Sequence, residues 1–418
     1  MTGDAVGEPA DPAGTTFGSG FPVGVVLGAS AATALANIPT FLFGAFAVSI
    51  RAELGFSPAG IGLAASIAFA ASALAAPLVG PLMQALGAVT ALRVGVLGGA
   101  LSLSAIAGVV NSWLGLALCL GVAGVMNSTT QTAANLAIAE HGASQRDGLA
   151  FGIKQGAVPL GTTLAGLAVP LFTAVLGWRW AFVAAAVVAV ALAAAMPRFI
   201  LGRNRPRVRR SRRGGQSRPA GGRVDWPILA LVTGGAFFAS GSALALSVYF
   251  VEYAVTVGWR EGPAGTLLAA SSILGVSVRV LAGWWIDRRH DAPVPESALV
   301  PAGLLMAGGV PGLLLLIAGE TWPPALVIGA PLMLGIGWSW AGLMHYSIVS
   351  LNRGASAVAT GVLLFGVFGG GVVIPSVLGL IAERTSYSVA WGVAAAAVSL
   401  AAGAFLTAHG LLLRRRRP

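Results

Sequence analysis

The chain is short of charge, holds a single cysteine, Cys119, and has one lysine, Lys154. Asp, Glu, Lys and Arg make up only 9% of its 418 residues, against about 25% in a soluble domain. Most of its surface therefore faces something other than water. One cysteine excludes an internal disulfide and a cysteine metal cluster. Walker loop, GxSxG elbow, HExxH pair and paired cysteines are all missing, so ATP-driven transport and hydrolysis find no support here. No metal or cofactor is expected, and the chain is not read as an enzyme. Residues 1–20 carry Asp4, Glu8 and Asp11 but no base. A secretory signal needs a positive start, so this stretch reads as a flexible tail.

What is abundant is apolar. The chain is 56% hydrophobic, its mean hydropathy is +0.84, and its 59 glycines are about twice the usual ~7% share. Small residues at that density suit helices packed backbone-close in lipid. The net charge of +11 would suggest nucleic acid in a soluble protein. Here 14 of the 25 basic residues lie between Arg198 and Arg223 or at 414–417. Anionic lipid headgroups are therefore the expected contact, and nucleic acid is not.

The stretch from Arg198 to Arg223, RFILGRNRPRVRRSRRGGQSRPAGGR, has ten arginines and no acid, with Gly and Pro throughout. Self-repelling and rich in breakers, it cannot bury a core and reads as a disordered linker. A spanning helix needs about 20 mostly apolar residues. That ruler gives six spans before the linker, at 22–50, 58–80, 89–110, 113–138, 149–175 and 179–197. Six follow it, at 227–256, 264–286, 295–318, 324–349, 357–382 and 387–413. The expected layout is a tail at 1–20, a six-helix bundle at 21–197, a basic linker at 198–225, a second bundle at 226–413 and a basic tail at 414–418. With the amino terminus in the cytoplasm, nineteen arginines lie inside and four outside, Arg51, Arg179, Arg260 and Arg384. The positive-inside rule selects that topology.

The halves repeat. Pro58-Ala-Gly-Ile-Gly-Leu-Ala-Ala-Ser66 opens the second span and Pro263-Ala-Gly-Thr-Leu-Leu-Ala-Ala-Ser271 the eighth, with seven of nine positions identical. Parallel six-helix repeats about an axis along the membrane normal are a transporter architecture with a substrate site near the midplane. The fold class is thus all-α and integral to the membrane, twelve helices in two pseudo-symmetric bundles.

Three motifs resemble the major facilitator superfamily. Arg279-Val-Leu-Ala-Gly283-Trp-Trp-Ile-Asp287-Arg288-Arg289 looks like the family's loop motif at the cytoplasmic end of the eighth span. Gly80-Pro-Leu82-Met-Gln84-Ala-Leu-Gly87 stands at the matching place after the second, with Gln84 where the family usually has Asp. Gly177-Trp178-Arg179-Trp180-Ala181-Phe182 is similar to the outer turn between the fifth and sixth spans. The resemblance covers nearly the whole chain and implies alternating-access transport by a monomer. Asp287, Arg288, Arg289 and the deeper Arg279 are expected to form a charge cluster that biases one packing of the halves. Arg279 is either an ion-paired latch there or a substrate contact.

Charges inside a span cost roughly 2.5–3.5 kcal/mol each, so a retained one is a functional candidate. Lys154, in Gly152-Ile-Lys-Gln-Gly156 of the fifth span, lies ~10 Å to the cytoplasmic side of the midplane at about 1.5 Å per residue. It either snorkels to the headgroups or faces the cavity and binds an anion. Asn127, Gln131 and Asn135 recur at i, i+4 and i+8 on one face of the fourth span. They either line the cavity, as the resemblance implies for that span, or glue helices together. Asn37, two residues before Pro39, either lines the cavity or satisfies the carbonyl that the proline frees. The tenth span carries Trp338, Trp340, His345 and Tyr346, the histidine being a candidate proton site. Tyr249, Glu252 and Tyr253 form an outer gate, a proton site or an interfacial belt.

No carboxylate lies at the midplane of a span, and Gly161 is followed by Thr162 rather than by the proline of the family's exporters. Both weigh against a proton-coupled exporter of cationic drugs. The favoured reading is uptake of a small organic anion such as a carboxylate, with proton symport or facilitation. The alternatives are efflux of hydrophobic compounds and, in another class, a non-transporting membrane sensor or scaffold.

Overall fold

The computed structural model describes residues 23–140, 147–173, 175–201, 224–289, 297–352 and 355–416. The 1–20 tail, residues 202–223 of the linker, Arg146, Arg353 and residues 417–418 lie outside that set, as do the side chains of Gln84 and Arg198. Among the described residues the secondary structure is helical, and twelve helices are long and apolar enough to cross a membrane.

The first six spans are α1 (Val23–Ala45), α3 (Pro58–Leu86), α4 (Ala88–Gly108), α5 (Trp113–Glu140), α6 (Asp147–Phe172) and α7 (Trp178–Leu201). Between α1 and α3 a short α2 (Ala47–Leu54) prolongs the first span. It ends on Gly55 at φ 68°, a left-handed position that glycine adopts without steric cost. The second half opens with α8 (Trp226–Thr256), α9 (Glu261–Ile286) and α10 (Leu299–Ala318) and closes with α13 (Ser356–Arg384) and α14 (Tyr387–Arg416). These boundaries follow the apolar runs within a few residues.

The tenth span departs from the expected single helix. It breaks into a 3₁₀ turn (Pro323–Ala325), α11 (Leu326–Ala330), a π-helical stretch (Pro331–Gly337), a turn at 338–340 and α12 (Ala341–Leu351). Pro331 has no N–H to donate, and Gly335 and Gly337 hold the backbone weakly. Wide π turns of this kind are frequent at functional sites.

Twelve spans alternate direction, so the start of α1, the end of α7, the start of α8 and the end of α14 share one face, the linker face. The halves meet along two seams, α6 against α9 and α3 against α13, both built on glycine. A Cβ on Gly166 would lie 2.6 Å from the Gly265 carbonyl oxygen, and one on Gly283 2.3 Å from that of Gly148. In the other seam a Cβ on Gly62 would lie 2.2 Å from the Pro375 carbonyl oxygen. Backbones touch there because side chains are missing, the packing expected where lipid gives helices no hydrophobic drive to associate. α1 lies most deeply inside, followed by α8 and the tenth span, and α7 presents much of its surface outward.

Candidate functional site

Between the halves lies a cavity of about 560 Å³, mid-range for clefts that take small molecules, roughly 300–1,000 Å³. The whole amide stripe of α5, Asn127, Gln131 and Asn135, faces it, together with Asn37, Lys154, Gln155, Arg279, Trp338 and His345. The periodicity therefore marks a cavity wall.

Lys154 does not snorkel. It is 6% exposed, and its Nζ donates to Gln131 Oε1 at 2.8 Å, leaving two of the three ammonium protons for the cavity. Asn127 Nδ2 donates to Asn37 Oδ1 at 3.4 Å, and Asn37 Nδ2 to the Thr33 carbonyl at 2.8 Å. Asn37 thus lines the cavity; the carbonyl freed by Pro39 is that of Leu35, which it does not reach.

Arg279 is 2% exposed and bridges the halves. One terminal nitrogen donates to the Gln155 carbonyl at 2.7 Å, the other to the carbonyl of Trp338 at the break of the tenth span, and the guanidinium lies 5.0 Å over the Trp338 ring. Its Nε is buried without a partner. The expectation of an ion-paired cluster is corrected here. Asp287 accepts from the backbone N–H groups of Gly148 and Leu149, both at 2.8 Å, and so caps the start of α6 from the end of α9. Arg288 stacks on Trp284 at 3.9 Å and Arg289 on Trp285 at 4.5 Å. Gly283 is the close-approach glycine that lets α6 and α9 touch. The backbone of Gly80 and Gln84 lies within α3, and the Gln84 side chain is outside the described set.

His345 sits at the wall, with Nδ1 2.8 Å from the Ala341 carbonyl. Gln155 Nε2 lies 2.9 Å from Nδ1 and 3.3 Å from Nε2; the Ala341 carbonyl can only accept, so with the proton on Nδ1 it is Nε2 that can accept from the amide. Tyr346 is corrected: it is half-buried, packs against the apolar core and is not among the lining residues. Gln155, beside Lys154, was not singled out by the sequence. It reaches both Arg279, through its carbonyl, and His345, through its amide.

The face opposite the linker is bridged by other contacts. Arg51 pairs with Glu252 at 2.7 Å, and Glu252 is 1% exposed. Tyr249 Oη donates to the Pro58 carbonyl at 3.0 Å. Ser49 Oγ donates to Glu261 at 2.8 Å, and Glu383 accepts from Ser57 Oγ at 2.7 Å and from the Ala59 N–H at 2.9 Å. Each joins one half to the other. Toward the linker face, by contrast, Ala76, Ile138, Val349 and Thr360 line the cavity.

Within the first half, the turn motif is a clamp. Trp178 Nε1 and Arg179 hold the Glu53 carboxylate at 2.7 and 2.6 Å, and Arg179 also reaches the carbonyls of Ala107 and Val110 at the end of α4. The Arg179 hydrogen bond keeps the Glu53 carboxyl below its usual range.

Comparison with known proteins agrees with this architecture. Structural similarity extends over nearly all of the chain to a proton:xylose symporter, XylE, bound to 6-bromo-6-deoxy-D-glucose (15% identity, TM-score 0.68, 95% of this chain and 96% of that one). A D-xylose-proton symporter matches at 13% identity and TM-score 0.69 over 92% and 97%. A bacterial homologue of the human lysosomal transporter Spinster, in an inward-facing and occupied conformation, matches at 16% identity and TM-score 0.64 over 94% and 98%. At these identities the likeness is one of fold. No curated protein sequence matches the chain. The sequence model of the Major Facilitator Superfamily matches residues 29–375, and the chain belongs to that family of secondary transporters.

Proposed function

We propose that this transporter moves a small organic anion, a carboxylate, across the cytoplasmic membrane by alternating access. The observation that carries the reading is the charge of the cavity. Lys154 and Arg279 line it, no carboxylate is among its described lining residues, and neither cation has an acidic partner there. A buried cation left unpaired is costly and is retained where a ligand completes it. Lys154 is the charge partner, and Gln131, Asn127, Asn135 and Asn37 orient the bound carboxylate with amide donors. The xylose carried by the two symporters is neutral and would leave both cations unbalanced. The linker lies in the cytoplasm in this reading, as the arginine count favours, and the cavity faces that side. Uptake by the monomer, driven by proton symport or by the substrate gradient, fits the missing exporter features.

The test is melting temperature in detergent against carboxylates, organic cations and neutral drugs, on the wild type and on Lys154→Gln. A ligand at 100 times its Kd adds about 2.7 kcal/mol of stability. Carboxylates are expected to stabilise the wild type and to lose at least tenfold in affinity for the variant. Equal shifts of both proteins by neutral drugs alone would instead favour efflux of hydrophobic compounds, which the aromatic wall of Phe69, Trp338, Trp340 and Phe368 accommodates.

A further inference from the structure

Resting on the anion reading, we infer that the substrate is a monocarboxylate with a flat apolar or aromatic body, and not a dicarboxylate. Charge counting alone points the other way, since two cations line the cavity. The hydrogen bonds reverse that count. Both terminal nitrogens of Arg279 are committed to main-chain carbonyls, those of Gln155 and Trp338. One N–H on each terminal nitrogen is therefore already used, and the guanidinium is held in place by backbone rather than left to grip a ligand. Carbonyl dipoles and the Trp338 face also partly neutralise the guanidinium where it stands. Three N–H groups remain, Nε among them, but the side chain is 2% exposed and Nε is buried, so little of that capacity reaches the cavity. Lys154 differs: one proton goes to the neutral Gln131 amide and two stay free. The cavity thus holds one complete carboxylate receptor and a second cation that contributes field more than hydrogen bonds.

A second carboxylate would be buried without a partner of its own, which is strongly unfavourable away from water. The rest of the wall wants something else. Phe69, Phe151, Trp340 and Phe368 line it, and Trp340 Nε1 is buried without a partner. Aromatic walls of this kind reward a ring that stacks or meets them edge-on. A two-carbon anion would leave most of the ~560 Å³ cavity filled with water against apolar surface.

The experiment compares four probes by calorimetric titration of the full-length protein in detergent: phenylacetate, acetate, succinate and phenylacetamide. Phenylacetate is expected to bind at least tenfold tighter than acetate and succinate, and phenylacetamide not measurably. Trp340→Leu is expected to lower phenylacetate affinity and leave acetate unchanged, with retained melting temperature as the folding control. Succinate binding as tightly as phenylacetate, or tighter, overturns the monocarboxylate inference and leaves the anion reading standing. Phenylacetamide binding as well as phenylacetate overturns the anion reading and this inference with it, as does binding by none of the four.

Discussion

Asp287 and Glu383 do the same job at opposite faces. Each stands at the carboxyl end of a second-half helix, where the helix dipole disfavours an acid. Each is compensated by capping the start of a first-half helix: Asp287 the backbone of α6 at the linker face, Glu383 that of α3 at the opposite face. The seams they serve are not equivalent. The α6–α9 seam is closed at both ends, by Gly166 on Gly265 and by Gly148 on Gly283. The α3–α13 seam is closed toward the opposite face, where Ser376 Oγ donates to Ser66 Oγ at 2.8 Å and Gly62 meets Pro375. Farther along, Ala76 and Leu364 line the cavity. One seam is a continuous weld and the other a mouth. Exposing the cavity at the opposite face means undoing the Glu383 cap and the Arg51–Glu252 pair, and closing α3 on α13 at the linker face.

That difference can be broken first at the weld. Gly283→Val would drive a side chain into the Gly148 carbonyl, a backbone atom with nowhere to go. It is expected to cost more than the ~1–3 kcal/mol of ordinary overpacking, seen as lost monodisperse protein after extraction. Gly403→Ala, with nothing within 4 Å of the added atom, should extract like the wild type.

The two caps give the next test. Asp287→Ala removes a half-buried cap and is expected to lower stability by about 1 kcal/mol. Glu383→Ala removes an exposed one and should barely move the melting temperature. Equal losses would mean that the seams are held alike.

The smallest effect belongs to the clamp inside the first half, which neither seam uses. Arg179 holds Glu53 below its usual pKa, so the pair stabilises above the unfolded value near pH 4.3 and is lost as pH falls through the lowered one. Glu53→Gln should therefore take away a small stabilisation at neutral pH, small because the carboxylate is half exposed, and leave acid stability nearly unchanged, so the acid limb flattens.

Much of this was readable beforehand. Apolar run length fixes the spans because a bilayer has one thickness, and the repeat at Pro58 and Pro263 pairs the halves. The i, i+4, i+8 amides needed only a helix to become a wall. The break of the tenth span was not legible, because hydropathy runs through it unchanged. The partner of Asp287 was missed because backbone N–H groups carry no residue letter. The direction of Lys154 depended on Gln131, a neighbour on another helix. Gln155 was hidden by its adjacency to a louder residue.

Lys154 is the only lysine in the chain, and it is buried in the cavity wall. Amine-directed reagents therefore have a single side-chain target, and the arginines outside are inert to them. A fluorophore or isotopic label joined there would report on the cavity with no background from other side chains, only from a terminal α-amine, and a bound anion would shield the lysine from modification. Amine-to-amine crosslinkers and surface attachment through lysine, by the same logic, are poor tools for this molecule.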